Sequence, residues 1–327
     1  MNGFFDFQKL SDGQSKQILK VLKRSNESRA SVHEALEPLL DDFHKFLFEV
    51  LNAVRVRCQK NGSIESMFDL KIPYDPKVEP ERFIRDGWNA WANLWPLIET
   101  ASTYQLTMLT ILEKFHVPKS GRMRLVSLGS GPGIYETFFA RLLQNAMIDS
   151  KVTCVDLVPQ MGKVQEFIVN LNPPQLRNID IITSDMSSVP LPNGCADAVL
   201  CNNALQWNRQ WRKAICEMRR LLDPDSDRLL YLFVHTHKQA MHVKTSTGEN
   251  VVEMEPILVP EIMDELENNS FTIRNTRQIR GGDGAGQLGG QLDRAFILAE
   301  LTHWGPEYSW RKAKVNIAAA SLMKLGK

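Results

Sequence analysis

The amino-acid sequence predicts an α/β fold, with a seven-stranded, mostly parallel sheet, helices on both faces and an antiparallel last strand. A helical extension precedes this sheet. From about residue 121 onward, short apolar runs alternate with stretches of helix length, which is typical of successive βαβ units. A glycine-rich turn joins the first of these strands to its helix. The final two apolar runs have no helix between them, which indicates antiparallel neighbours.

The N-terminal third of the chain is predicted to be helical. Between Phe43 and Val56, apolar residues recur at steps of three and four, so they share one face of a helix. The proline-bearing passage Ile72–Pro80 breaks this pattern, and a second helical block runs from about Pro80 to Phe115. We predict a helical extension or cap over residues 1–118, the main domain over 119–304 and a C-terminal tail over 305–327.

Four aromatic side chains stand out in the second helical block: Trp88, Trp91, Trp95 and Tyr104. The tryptophans are spaced three and four apart, so they share a helical face. Two interpretations remain open. The cluster either packs the extension against the main domain or forms a lid or wall of a substrate site.

Predicted strands and helices alternate through the main domain. In chain order they are Arg124–Leu128, Tyr135–Ala146, Lys151–Asp156, Gly162–Leu171, Asp180–Thr183, Ala196–Cys201, Gln210–Leu222, Arg228–Val234, Pro260–Asn268, Phe271–Ile279 and Leu292–Leu301. The last two are strands, and the segment between them includes the glycine-rich stretch 281–290. We interpret that stretch as a mobile turn rather than a phosphate cradle, because no helix follows it.

The glycine-rich turn after the first strand is the central motif. Residues 125–133 read Leu-Val-Ser-Leu-Gly-Ser-Gly-Pro-Gly. Gly129 permits the tight bend, and Gly131 lets a ligand lie against the backbone. We expect backbone amides and the following helix N-terminus to face the ligand and to favour an anionic or polar group.

A carboxylate at the end of the next strand strengthens this interpretation. Asp156 follows the last glycine of the turn by 156 − 133 = 23 positions, where an acidic side chain can accept both hydroxyls of a ribose. The pattern therefore indicates a nucleoside-bearing ligand. A dinucleotide site requires G-x-G-x-x-G, but Ile134 occupies the last position, and the terminal hairpin also argues against a dehydrogenase.

Residues from about 120 to 235 resemble the class I S-adenosylmethionine-dependent methyltransferases, in particular the group called methyltransferase type 11. The glycine turn is similar to the first motif of that family. Four further segments resemble its later motifs in the right order: Asp156–Met161, Ser184–Pro192, Asp197–Trp207 and Glu217–Pro224.

This resemblance implies a Rossmann-like fold and S-adenosyl-L-methionine as the cofactor. The implied cofactor-binding residues are Gly129, Ser130, Gly131, Gly133, Asp156, Leu157, Asp185, Met186 and Asn202. The glycines would line the methionine part, Asp156 would bind the ribose with Leu157 against the adenine face, and Asp185 with Met186 would border the adenine edge. Asn202 would lie near the sulfonium and the methionine amine.

Alternatives remain for several of these residues. Asp185 is also a candidate turn or helix cap, and Met186 and Leu157 are candidate core residues. The chain departs from the family pattern at Asp223–Asp227, where two glycines usually follow the proline; Asp and Ser still allow a turn there. The long N-terminal extension resembles nothing specific.

The sequence leaves the methyl acceptor and any catalytic base open. Gln206, Trp207, His235 and His237 are the candidates near the expected methyl position. The stretch Ala204–Trp207 resembles family members that methylate carboxylates of small acids or acyl chains. A carboxylic acid has an unperturbed pKa of about 4, so it is already ionised at neutral pH and needs no base. The predicted acceptor is therefore a small molecule with a carboxylate or another oxygen or nitrogen nucleophile.

Charge and motif composition argue against a nucleic-acid substrate. The formal net charge of +1 provides no overall electrostatic attraction to nucleic acid. The fourth motif also lacks the Asn-Pro-Pro-aromatic element that typically holds a flipped base amine. The five scattered cysteines contain no CxxC pair, so no metal site is predicted. The sequence predicts a cytoplasmic protein without a membrane span. A nucleic-acid or protein methyltransferase, or a non-catalytic adaptor with the same fold, remains the alternative.

Overall fold

The structure, a computed structural model, describes residues 29–60, 78–98, 101–115, 121–171, 176–226, 228–236, 239–245, 248–254, 256–279 and 294–302. The predicted glycine-rich loop 281–290, the tail 305–327, the first 28 residues and His237 lie outside these described residues.

Within the described part of the N-terminal extension, four helices form the cap: α1 (Arg29–Lys60), α2 (Pro80–Trp91), α3 (Trp95–Ile98) and α4 (Ala101–Leu112). The predicted amphipathic face of α1 is largely confirmed: the side chains at positions 43, 46, 47, 50 and 54 are buried, whereas Leu51 is half-buried and packs against the same core. Phe43 lies across the ring of Phe138 in the main domain, with ring centroids 5.0 Å apart. Gln160 Nε2 also donates to Asn93 Oδ1 at 3.3 Å. The cap therefore packs directly on the main domain.

The predicted seven-stranded sheet is confirmed. Its strand order is β3-β2-β1-β4-β5-β9-β8, and β9 runs antiparallel to both neighbours. The strands are β1 (Arg122–Leu128), β2 (Asp149–Asp156), β3 (Ile179–Thr183), β4 (Ala198–Asn202), β5 (Leu229–His235), β8 (Phe271–Ile279) and β9 (Arg294–Leu301). The order reverses beside β1, so the carboxyl ends of β1 and β4 border a crevice there.

Helices cover both faces of this sheet: α5 (Ile134–Asn145) and α6 (Pro159–Asn170) on one side, α7 (Trp211–Leu221) and α8 (Val259–Asn268) on the other. Alternate residues of β5 show the two-sided burial. Leu229, Tyr231 and Phe233 join the core that holds α5, α6 and the cap, whereas Leu230, Leu232 and Val234 join the core beneath α7 and α8. Burial on both faces explains why the strand reads as a continuous apolar run.

One element was not predicted. Strands β6 (Gln239–Thr245) and β7 (Gly248–Met254) form a separate antiparallel hairpin between β5 and α8. It begins just after the carboxyl end of β5, on the edge of the sheet where the glycine turn also lies. Neither strand joins the main sheet, so neither carries the long apolar run that identified the other strands.

The altered turn before β5 forms as expected. The Asp225 amide donates to Asp223 Oδ1 at 2.9 Å, and the Ser226 amide donates to the Asp223 carbonyl at 3.2 Å. Arg124 Nη2 bridges Asp223 and the buried Asp197 at 2.5 and 2.6 Å. The hydrogen bonds that the Arg124 guanidinium donates to the Asp197 and Asp223 carboxylates raise its pKa. These contacts fix the turn without the two glycines usual in the family.

Candidate functional site

A single cleft collects the predicted site residues at the carboxyl edge of the sheet. Its lining includes eight of the nine: Gly129, Ser130, Gly131, Asp156, Leu157, Asp185, Met186 and Asn202. The lining does not include Gly133, which is packed against Gln165. A Cβ at position 133 would lie 2.1 Å from Gln165 Nε2.

The glycine turn differs from expectation in one respect, the direction of its amides. The amides of Gly129 and Ser130 both donate to the Val155 carbonyl, at 2.7 and 3.1 Å. The Gly131 amide donates to Asp156 Oδ2 at 2.8 Å, and the Gly133 amide donates to the Ser130 carbonyl at 3.0 Å. β2 and the turn itself use all four amides, so the expectation that these amides face an anionic or polar group of the ligand is wrong.

Asp156 joins the turn to the cleft. Its Oδ2 accepts from the Gly131 amide, and its Oδ1 accepts from the Val158 amide at 2.9 Å. Burial raises the pKa of this carboxyl, while the two backbone hydrogen bonds oppose the rise. Each oxygen retains a second lone pair, so the carboxylate can accept two further hydrogen bonds from a ligand.

Beyond Asp156, the cleft is lined by the apolar side chain of Leu157 and by the polar turn at Asp185. Leu157 is 49% exposed although apolar, which is consistent with a surface that a planar ligand would cover. Asp185 Oδ1 accepts from the Ser187 amide, the Ser187 hydroxyl and Asn208 Nδ2, at 2.7, 2.8 and 3.2 Å. The turn-cap alternative for Asp185 thus holds, and the same side chain also lines the cleft.

The sequence analysis overlooked Glu136, in the first turn of α5. This residue lines the cleft but is only 1% exposed. Ser127 Oγ donates to its Oε1 at 2.5 Å, and its Oε2 has no hydrogen-bond partner within the described part of the chain. Burial raises the pKa of Glu136 to about 7; the hydrogen bonds from Ser127 and from the backbone amide of Glu136 itself lower it, and the nearby Asp156 carboxylate raises it. An acidic residue directly after a glycine turn was the signal that could have revealed it.

The N-terminus of the following helix was also expected to favour an anionic or polar group of the ligand, and Glu136 contradicts the anionic part of this expectation. The N-terminal turn of α5 already holds a carboxylate, which is the charge that a helix N-terminus favours. With Glu136, Asp156 and Asp185 beside the turn, this wall of the cleft is acidic. It therefore favours a cationic group and disfavours a pyrophosphate.

We expect the raised pKa of Glu136 to make the ligand-free protein less stable as pH rises. The pKa is about 7 in the folded chain against an ordinary 4.5, so the folded state binds the proton more tightly. This stabilisation is complete below the ordinary pKa of 4.5 and is lost as the pH rises through about 7. The free energy of unfolding should therefore fall by about 2 to 3 kcal/mol between about pH 5 and pH 8. Urea unfolding at several pH values measures it.

Glu136→Gln should remove this contribution, because glutamine keeps an acceptor for Ser127 but does not ionise. Glu166 lies exposed on α6 and provides a matched control. Glu166→Gln should follow the pH profile of the wild type. Parallel profiles for wild type and Glu136→Gln would contradict a buried, titrating Glu136.

A second wall of the cleft is aromatic and comes from the cap and from Trp207 in the loop after β4. Trp88 and Trp95 meet edge to face with ring centroids 4.5 Å apart, and Trp88 meets Trp207 in the same way at 5.1 Å. These three rings and Tyr104 line the cleft. Trp91 does not line it and packs against Trp88 instead, with centroids 6.0 Å apart. The cluster therefore both joins the cap to the domain and forms a wall.

Two of the candidate catalytic residues lie outside this cleft. Gln206 and His235 are buried, at 3% and 5% exposure, and neither belongs to the lining. Gln206 Nε2 donates to the Asn203 carbonyl at 3.0 Å. Trp207 lines the cleft, whereas His237 falls outside the described residues.

Further lining residues were not predicted. Asn203 adopts a left-handed conformation, with φ of 54°, at the end of β4. Backbone strain of this kind is characteristic of functional loops. Arg85 and Arg209 bring two guanidinium groups to the lining, one from the cap and one from the loop after β4.

Among the described residues, no group of three or more His, Cys, Asp or Glu side chains could hold a metal ion. None of the described helices is long and apolar enough to span a membrane.

Comparison with known proteins identifies the type of domain. Residues 126–229, which are less than half of the chain, match the family model described as a methyltransferase domain. The chain therefore contains a class I S-adenosylmethionine-dependent methyltransferase domain. The implied cofactor is S-adenosylmethionine, which agrees with the acidic wall around the glycine turn. The match contains all nine predicted site residues and Glu136, whereas the aromatic residues of the cap lie before it.

Individual relatives agree with this assignment. A malonyl-[acyl-carrier protein] O-methyltransferase from Halorhodospira halophila is 27% identical over 153 residues, which are 47% of this chain and 48% of the relative. The chain thus spans about half the length of that curated relative. A putative methyltransferase of Haloferax volcanii, solved in complex with the Trm112 methyltransferase activator, has a TM-score of 0.51 at 13% identity, covering 68% of this chain and 99% of that one. This likeness shows the methyltransferase fold.

Proposed function

We propose that the protein transfers a methyl group from S-adenosylmethionine to a carboxylate of a small-molecule or acyl acceptor. The observation that carries this proposal is the pairing of two unlike walls in one cleft. The wall at the strand ends has acidic side chains beside Gly131, and the aromatic wall, formed by the cap and the loop after β4, has tryptophans and two arginines. The first suits a cationic nucleoside, and the second suits an apolar anion.

The strand-end wall would hold the cofactor. Asp156 would accept the ribose hydroxyls, Leu157 and Met186 would flank the adenine, and Gly131 would allow close approach. A Cβ built on Gly131 meets no atom within 4 Å, so the glycine leaves open space toward the cleft. When bound, the cofactor supplies an electrophilic methyl group on its sulfonium.

The aromatic wall, formed by the cap and the loop after β4, would hold the acceptor and exclude water. Trp88, Trp95 and Trp207 offer apolar ring surface, and Arg85 or Arg209 offers a guanidinium for a carboxylate. A carboxylate is already ionised at neutral pH, so alignment beside the methyl group is the main task of these side chains. The similarity to a relative named for O-methylation of a malonyl carrier protein is consistent with this class of acceptor.

A labelling experiment tests the acceptor class. The protein is incubated with methyl-labelled S-adenosylmethionine and a panel of carboxylic acids, including a malonyl thioester, each beside its amide counterpart. We expect label in the acids alone, released as methanol by mild base because a methyl ester hydrolyses. Transfer to the amides, or label that base does not release, would contradict carboxylate methylation.

We expect Trp88→Ala to weaken binding of the acceptor and to leave binding of the cofactor nearly unchanged. Its ring contacts both Trp95 and Trp207, so truncation removes apolar wall worth about 2 kcal/mol, or a KM about tenfold or more higher. The Kd of S-adenosylhomocysteine should stay within about threefold, as the strand-end wall is intact. Trp211→Ala is a control on the far face of the sheet. An unchanged acceptor KM would remove Trp88 from the acceptor site.

A further inference from the structure

The buried carboxyl of Glu136 is the feature of the cleft that the proposed function has not used. One oxygen is held by Ser127, and the other has no hydrogen-bond partner within the described part of the chain. The residue is 1% exposed and still belongs to the cleft lining. A buried acceptor without a donor is costly, so a ligand that supplies the donor would gain affinity here.

The surroundings define which donor fits. Asp156, on β2, is the ionisable group that acts on Glu136; Glu136 in turn raises the pKa of the buried Cys154 thiol on the same strand, and the neighbour of Glu136 on β1 is the Ser127 hydroxyl. The four amides of the glycine turn are already used. A donor that also carries positive charge would satisfy the open oxygen and offset the repulsion between the two carboxylates.

S-adenosylmethionine carries two positive groups, and only one is a hydrogen-bond donor. The sulfonium has no N–H or O–H, whereas the α-ammonium has three N–H bonds. We propose that the Glu136 carboxylate receives the α-ammonium group at the methionine end of the cofactor. This inference rests on the proposed function, because it assumes that cofactor, and it adds a binding residue outside the nine predicted from the sequence.

Three ligands separate the possible roles of Glu136 by calorimetric titration. S-adenosylmethionine has both the sulfonium and the ammonium, S-adenosylhomocysteine has the ammonium alone, and 5′-methylthioadenosine has neither. For Glu136→Gln we expect the Kd of the first two to rise by about tenfold to a hundredfold, the range for a charge-assisted hydrogen bond. The Kd of methylthioadenosine should change by less than about twofold.

Two control variants accompany these titrations. Asp156→Asn should raise the Kd of all three ligands by the same factor, since all three carry the ribose. Glu166→Gln, at an exposed position, should leave all three Kd values unchanged. Thermal unfolding of each variant confirms that it is folded before titration.

The affinity should also depend on pH. Since the pKa of Glu136 is about 7, wild-type affinity for S-adenosylhomocysteine should increase between about pH 6 and pH 8, while Glu136→Gln should lack this increase. The protonated carboxyl must lose its proton before it pairs with an ammonium, so acid weakens binding.

Each other outcome overturns the assignment. Equal weakening of all three ligands by Glu136→Gln would mean that the residue acts through the shape of the turn. Weakening of S-adenosylmethionine alone would place the carboxylate against the sulfonium. Unchanged binding of all three would remove Glu136 from the cofactor site. Failure of the wild type to bind any of the three would instead contradict the proposed function itself.

Discussion

Replacement of Asp156 by alanine should abolish measurable binding of S-adenosylmethionine. The carboxylate is placed to accept two ribose hydroxyls, and each charge-assisted hydrogen bond contributes about 1.5 to 3 kcal/mol. Their combined loss raises the Kd by about a hundredfold to ten-thousandfold. The variant also leaves the Gly131 and Val158 amides without their acceptor, which disturbs the turn. Isothermal titration measures the effect.

Asp156→Asn separates these two contributions. Asparagine keeps one oxygen that can accept from the Gly131 amide but loses the charge and one acceptor. We therefore expect Asn to retain more thermal stability than Ala and still bind the cofactor much more weakly than the wild type. A Kd for Asp156→Ala within about tenfold of the wild-type value would contradict the ribose role.

A pair of glycine variants should separate folding from binding. In Gly129→Ala, the new Cβ would lie 2.2 Å from Ala204 Cβ and 3.1 Å from Met186 Cε, at a φ of +67°. Both atoms are packed at the carboxyl edge of the sheet, so the turn must shift. We expect a loss of about 3 kcal/mol or more in the free energy of unfolding, together with loss of cofactor binding.

Gly131→Ala should behave differently. The new Cβ meets nothing within 4 Å, so only the positive φ of +55° strains the backbone, by about 1 kcal/mol. Its methyl group would occupy the space beside the turn, so binding should fall steeply while the thermal midpoint drops little. Thermal unfolding and titration of both variants provide the measurement. Wild-type affinity in Gly131→Ala would show that the cofactor does not lie against this residue.

The sheet could be predicted from sequence because its strands have the composition that burial on both faces requires. β5 is a continuous apolar run, and β1 and β2 each have a buried, mostly apolar stretch toward the carboxyl end; the helices between these strands follow a different period. The β6–β7 hairpin escaped prediction since it pairs only with itself. Its strands, Gln239–Thr245 and Gly248–Met254, mix apolar with polar residues and therefore lack a continuous apolar run.

The site was only partly predictable, because its electrostatics depend on tertiary contacts. The glycine spacing identified the turn, yet the direction of its amides follows from the Val155 carbonyl on the adjacent strand. Glu136 looks like an ordinary acidic residue at a helix start, and only the packed structure shows it buried with an open oxygen. The tryptophan spacing likewise did not distinguish packing from a wall, since Trp88 does both.

The most direct test of the central claim is calorimetric titration of the wild-type protein with S-adenosylmethionine and S-adenosylhomocysteine, paired with thermal unfolding. The cleft predicts one bound ligand per chain. It also predicts stabilisation of the folded state by about 2.7 kcal/mol when the ligand is present at about 100 times its Kd. Absence of heat and of any thermal shift with both compounds would contradict the methyltransferase function, and a non-catalytic adaptor with this fold would become the leading hypothesis.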